Sequence, residues 1–172
     1  MTDLDDYILD AGQSSIIVSG DNPTREGGVY NIAVTNSLNG GYAVQLQLSD
    51  NGAVSTSSGD QKGYVKEDGT RRHHIIDATS GYPNTYLLAT TVVSNSAMIA
   101  DIMTTTLMTM VSMEEIKAYL TLLQNNGVEA KVLLQVKENN TLKVYANSSM
   151  QSVIGQVFEG VTVEEFSYGA QA

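Results

Sequence analysis

The sequence predicts an α+β domain: a mainly antiparallel sheet with a pair of helices packed on it. Three observations carry this. Apolar and polar residues alternate in "GGVYNIAVTN" and "GYAVQLQLSD", as they do in half-buried antiparallel strands. Two adjoining segments, "NSAMIADIMTTTLMTM" and "SMEEIKAYLTLLQNNG", change to helical spacing. "EAKVLLQVKENNTLKVYANSS" then returns to two strand-like runs around an Asn-Asn turn.

In chain order, "YILDAGQSSIIVSG" holds an apolar run from Ile16 to Val18, closed by Gly20 and a "DNP" turn. "SLNGG" joins the two alternating strands as a hairpin turn. "STSSGDQKG", Ser55 to Gly63, is small and polar and is expected to be a loop. "KEDGTRR" places an Asp-Gly turn between "YVK" and "RHHIID", the expected arms of a second hairpin. After the "SGYPN" turn, β-branched "TYLLATTVVS" reads as a strand. The first helix is expected to start at an N-cap on Ser94 or Asn95, with Met98, Ile99, Ile102, Met103, Leu107 and Met110 on a broad apolar face. The second opens with a capping box, Ser112 with Glu115, and ends at Gly127. The tail from Met150 holds one more expected strand, Val161 to Phe166.

At 172 residues the chain is expected to be one domain, residues 1–172. No apolar run approaches the length of a transmembrane helix, and "MTDLDDYILD" has acids where a signal peptide carries basic residues. Nine basic against nineteen acidic residues give a net charge of −10, a surface that repels phosphate backbones, so no nucleic-acid partner is expected. With no cysteine, thiol catalysis, disulfides and cysteine-ligated metal are excluded, and the compartment stays open.

The only two histidines are adjacent, in "RRHHIIDATSGYP". On an extended strand His73 shares a face with Ile75 and Asp77, and His74 points the other way with Ile76. One histidine can then serve as a general base near neutral pH, or both can decorate a solvated strand. Asp101 lies in an apolar stretch with Thr105 four residues on, which stacks them on one helix face about 6 Å apart. A carboxylate and a hydroxyl at that spacing suit a partial magnesium site. Equally, Asp101 can be simply solvated while Thr104, Thr105 and Thr106 bond back to the helix. The hydroxyls and backbone amides of "STSSGD" suit an anionic or flavin-sized ligand. No nucleophile elbow, helical zinc motif or phosphate-binding P-loop is present.

In order and separation, "SSGD" at Ser57–Asp60, "EDG" at Glu67–Gly69, "HHIIDATSGYP" at His73–Pro83 and "ADIMTT" at Ala100–Thr105 resemble the ApbE family, the magnesium-dependent FAD:protein FMN transferases. The resemblance spans about Tyr7 to Ser149 and corresponds to the C-terminal part of full-length members, which are nearly twice this size. It implies a T-fold-like unit of two strands, two helices and two strands, matched here by the order from Tyr64 to Ala146. It implies that Asp101 and Thr105 hold Mg2+, that His74 is the catalytic base, and that Ser58, Gly59, Asp60, Ile75 and Gly81 contact the flavin of the substrate FAD. The implied partner is an acceptor protein whose Thr or Ser receives FMN. The implied partners also include a second copy, or another polypeptide that supplies the family's N-terminal half with its "GG-x-A-K-G" segment and one backbone metal ligand; otherwise the chain is an excised domain or has lost catalysis. The alternative is a non-catalytic flavin-binding module or partner subunit of a complete transferase. Members are typically exported lipoproteins, whereas this chain shows no lipoprotein cysteine. The family's "DP" is "DA" at Asp77–Ala78 and its "GG" is "GQ" at Gly12–Gln13.

Overall fold

The computed structural model describes residues 5–12, 14–49, 51–60, 62–69 and 71–169. The N-terminal half gives β1 (Tyr7–Asp10), β2 (Ser15–Ser19), β3 (Tyr30–Thr35), β4 (Tyr42–Leu48), β5 (Gly52–Ser58), β6 (Gly63–Val65), β7 (Arg71–His73) and β8 (Leu87–Ser94). Helices α1 (Ala97–Leu107) and α2 (Met113–Asn125) follow, then β9 (Lys131–Glu138), β10 (Thr141–Asn147), the short α3 (Ser148–Gln151), β11 (Ile154–Val157) and β12 (Thr162–Phe166).

Seven strands form one sheet in the order β1-β2-β5-β8-β9-β10-β12, antiparallel except for the β10–β12 pair. Strands β11, β4 and β3 form a second sheet, and β6–β7 a separate ribbon. The large sheet is covered on both faces, and its central strands show this by alternation. Val93, Leu133 and Val144 pack toward β3 and β4 with Ile32, Val34, Val44 and Leu46. Val92, Val132 and Leu134 pack toward the helices with Met103, Leu107, Ile116 and Leu120. A strand buried on both faces cannot be amphipathic, hence the continuous apolar runs in β8 and β9.

The predicted α+β class, the first hairpin and α2 are all present. Ser112 accepts the Glu115 N–H at 3.2 Å, while the Glu115 carboxylate reaches back to the Val111 N–H at 2.8 Å. The Asn-Asn turn between β9 and β10 has Asn139 at φ 49° and Asn140 at φ 63°, the left-handed pair of a two-residue hairpin loop. Replacing Asn140 by valine, which resists that region, should lower stability by about 1–2 kcal/mol in urea unfolding; an unchanged midpoint would contradict the turn.

Several expectations are corrected. Ser55–Ser58, expected in a loop, belong to central strand β5; their hydroxyls are buried by pairing with one another's neighbours, such as Thr56 with Thr91 at 2.9 Å. The strands that lead into the helices are therefore β5 and β8, so the two-strand, two-helix, two-strand unit begins at Gly52 rather than near Tyr64. The β6–β7 hairpin stands aside because Gly63–Val65 are exposed and bury no apolar face. Its second arm stops at His73, so His74 to Asp77 are not strand and do not alternate as one. The α1 N-cap is Ser96, not Ser94 or Asn95, accepting the Ile99 N–H at 3.4 Å. Met98 and Ile102 are exposed, and the buried stripe of α1 is Ala100, Met103, Thr104 and Leu107. β11 and α3 carry no strong pattern in the sequence and appear only in the fold.

Candidate functional site

Strand β5 divides its side chains by chemistry. Val54, Thr56 and Ser58 face the second sheet and line a cavity of about 390 Å³. Ser55 and Ser57 face the helix layer. Helix α1 lies along that side, and the two serines hold it in register with hydroxyl bonds. The Asp101 Oδ1 accepts from Ser55 Oγ at 2.9 Å and from Ser14 Oγ at 3.3 Å. One turn further, Ser57 Oγ donates to Thr104 Oγ1 at 2.9 Å and stands 3.4 Å from Thr105 Oγ1.

Thr104 and Thr106 do bond back to the helix, onto the Asp101 and Ile102 carbonyls at 2.9 and 2.8 Å. Thr105 shows no such bond among the described residues. Asp101 and Thr105 are both exposed, and Asp101 Oδ2 makes no hydrogen bond among them. This donor set is hard oxygen: one carboxylate oxygen and one hydroxyl. No group of three His, Cys, Asp or Glu side chains that could hold a metal gathers among the described residues. The pair therefore fits magnesium, which takes few protein ligands and completes its shell from water and phosphate. It does not fit an ion that demands a full protein cage.

The two histidines differ sharply. His74 is exposed, and its Nδ1 lies 3.2 Å from the Lys62 carbonyl. A carbonyl only accepts, so Nδ1 carries the hydrogen and Nε2 presents its lone pair outward. That is the protonation pattern a general base requires. His73 is half-buried, with Nε2 at 2.6 Å from the Asn84 carbonyl and Nδ1 at 3.2 Å from the Ile75 N–H. Asn84 in turn donates from Nδ2 to the Thr109 carbonyl at the end of α1, at 3.2 Å. Ile75 is buried in the helix-side core.

The turn after the histidines is built on Asp77. Its carboxylate accepts the Thr79 N–H at 2.9 Å and the Ser80 N–H at 3.1 Å. Its carbonyl accepts the Gly81 N–H at 2.8 Å, with Gly81 at φ 71°. The Thr79 backbone bond, helped by Ser80, holds the Asp77 carboxyl below the usual carboxylate range. A depressed value means the turn gains support above the unfolded carboxylate value of about 3.9 and loses it as pH falls through the lower folded one. The protection of the Thr79 and Ser80 amides, taken relative to intrinsic exchange at each pH, should therefore hold steady down to about pH 4 and fall below it; protection already lost at pH 6 would contradict this.

The residues singled out from the sequence fall into two groups. Asp101 and Thr105 meet β5 from the helix side, and His73, next to His74, meets the same strand's end at Gly59. Ser58 lies on the opposite face, bonded to Asp60 and 3.4 Å from Ser37 Oγ. Asp60 joins it in the 390 Å³ cavity with Asp10 and Ser14. Ser14 thus touches both sides, lining that cavity while donating to Asp101. Gly81 sits in the exposed turn, and Gln13 lies outside the described residues. A second cavity, about 710 Å³ near Asn51, Ser94 and Lys131, holds none of the predicted site residues. Sequence reasoning gave Ser14 no role and offered Ser55 and Ser57 only as loop hydroxyls toward a ligand, not as the strand partners of Asp101, Thr104 and Thr105.

Comparison with known proteins bears on this arrangement. The ApbE family model matches residues 2–132. An FAD:protein FMN transferase of Vibrio cholerae serotype O1 is 30% identical over 154 residues, covering 89% of this chain and 43% of that protein. One of Klebsiella pneumoniae is 36% identical over 81 residues, covering 46% of this chain and 26% of that protein. The crystal structure of the ApbE protein of Thermotoga maritima shares the fold, with a TM-score of 0.70 at 21% identity over 88% of this chain and 45% of that one. The flavin transferase ApbE of Vibrio cholerae superposes with a TM-score of 0.67 at 30% identity, covering 87% of this chain and 44% of that one. The chain spans less than half the length of these relatives.

Proposed function

The chain belongs to the ApbE family, and from that premise we propose that it is a flavin transferase, or one part of one, moving FMN from FAD to a Thr or Ser hydroxyl of an acceptor protein. One observation carries the reading: β5 gathers Asp101 and Thr105 through Ser55 and Ser57, and its next residue on that side, Gly59, abuts His73 beside His74. Separate stretches of sequence thereby converge on one strand.

In this reading the acceptor hydroxyl gives its proton to His74 Nε2 as its oxygen bonds to the FMN phosphorus. The bond from that phosphorus to the bridging oxygen breaks, and AMP leaves with the oxygen and the electron pair. Asp101 and Thr105 would hold magnesium, which supplies charge neutralisation on the diphosphate when bound. Lys62 keeps the His74 ring in the tautomer that can accept. The Ile75 N–H is already taken by His73, so the Ile75 carbonyl is the backbone group left for the flavin. The chain spans less than half the length of its relatives, and light scattering with and without candidate partner chains tests whether another chain contributes to the site.

The test is incubation with FAD, magnesium and an acceptor bearing a flavinylation site, followed by a search for a fluorescent protein band and released AMP. A band that needs magnesium supports the proposal; none, with FAD binding intact, favours a flavin-binding partner subunit instead. The short span relative to the relatives is what keeps that second reading in view. Asp101→Asn should remove the magnesium-dependent part of FAD binding, on the order of tenfold or about 1.4 kcal/mol, in isothermal titration. Affinity equally indifferent to magnesium in wild type and variant would remove the metal assignment.

A further inference from the structure

We propose that His73, to which the reaction gives no chemical step, is the positioning residue that fixes where the His74 imidazole and the Ile75 backbone stand. Its catalytic meaning rests on the transferase reading; its structural content does not.

The His73 ring meets three segments. The Asn84 carbonyl, 2.6 Å from Nε2, only accepts, so Nε2 carries hydrogen. The Ile75 N–H, 3.2 Å from Nδ1, only donates, so Nδ1 presents its lone pair. The two partners together select one neutral tautomer. A hydrogen on Nδ1 would face the Ile75 N–H directly. The third contact is Gly59, where a Cβ would stand 2.9 Å from His73 Cδ2. Only a residue without a side chain admits the ring at that point.

Each contact is anchored elsewhere. The Gly59 N–H donates to the Leu88 carbonyl of β8 at 2.9 Å, and Asn84 is tied to the end of α1 through Thr109. Ile75 plugs the helix-side core. His73 therefore joins the end of β5, the segment entering β8 and its own following turn. His74 is tied to one residue among those described: it is exposed, and its backbone N–H and ring Nδ1 both meet the Lys62 carbonyl, at 3.3 and 3.2 Å. Its direction follows from the backbone that His73 holds. One consequence concerns ligands: a molecule meeting the Ile75 backbone must bring a donor, because only the carbonyl is left.

The test begins without turnover. In a long-range 1H–15N spectrum of the imidazoles, assigned by loss of signal in His73→Phe, His73 should show hydrogen on Nε2 and none on Nδ1. In His73→Phe the Ile75 amide should exchange about tenfold or more faster, with protection at Leu120 in α2 unchanged. Gly59→Ala, which displaces the ring, should reproduce the effect if His73→Phe fails to fold. In protein that transfers FMN, His73→Phe should lower kcat by about 10- to 100-fold with little change in KM for FAD, and His73→Gln, which keeps a donor toward Asn84, should recover part of it. Hydrogen on Nδ1, unchanged Ile75 exchange, or unchanged kcat would each overturn the proposal. Wild-type protein that shows the clamp but never transfers FMN would sink the transferase reading and leave the positioning intact.

Discussion

Replacing His74 by alanine should lower the proposed FMN transfer by roughly 10²–10⁴-fold, the range for loss of a placed general base. The loss should fall on kcat, because the side chain is bonded to neither Asp101 nor Thr105 and its removal leaves their face of β5 and α1 unchanged. Stability should move by no more than about 0.5 kcal/mol, since the His74 side chain is exposed and, among the described residues, bonds only the Lys62 carbonyl. Steady-state transfer, read as flavin fluorescence on the acceptor, gives the rate. Urea unfolding gives the stability. Equal rates in the two proteins would take the base assignment away from His74, and a variant that merely unfolds would show that the side chain is structural.

The second large effect is on folding. Asn147 is 3% exposed, at the junction of β10 and α3, and all four of its amide hydrogen-bonding positions are used. Its Oδ1 accepts from the Val132 and Met150 N–H groups at 2.9 and 3.0 Å. Its Nδ2 donates to the Ala130 carbonyl at 2.9 Å and the Tyr168 hydroxyl at 3.2 Å. Asn147→Ala takes the side-chain partner from the Val132 N–H, leaves the Ala130 carbonyl with only the long 3.5 Å bond from the Ser149 hydroxyl beside the start of β9, and removes the α3 cap. At about 1–3 kcal/mol for each stranded buried group, the total should come to roughly 3–4 kcal/mol. Asn147→Asp keeps both acceptor bonds and loses the donors, so it should fall between. A loss under about 1 kcal/mol for alanine would mean that water replaces the amide.

Much of the fold was legible because apolar burial writes itself as a period. β3, β4, β8, β9 and α2 followed from alternation, β-branched runs and caps, and the Asn-Asn turn from its two residues. β5 was not legible, since its hydroxyls read as loop when taken alone; their partners include Asp101, Thr104 and Thr91, each more than thirty residues away. Met98 and Ile102 fit an apolar face by spacing, yet the tilt of α1 on the sheet turns Ala100 and Thr104 inward instead. The candidate site divided the same way. Asp101, Thr105 and His74 could be named from motifs, but their convergence depends on strand register, which a linear pattern does not contain. The motif that names His74 gives His73 no role; the partners opposite each ring, which assign the two different tautomers, appear only in the fold.

The two-sided character of β5 also limits how this chain can evolve. Insertion or loss of one residue between Gly52 and Ser58 would rotate every later side chain to the other surface. Serines now holding the acidic helix would be driven among Ile32 and Val34, and Val54 would meet Asp101. Mutational drift can thus alter residues along this segment but not its length, and a sequence survey should find gaps tolerated before Gly52 and after Asp60, with none in between.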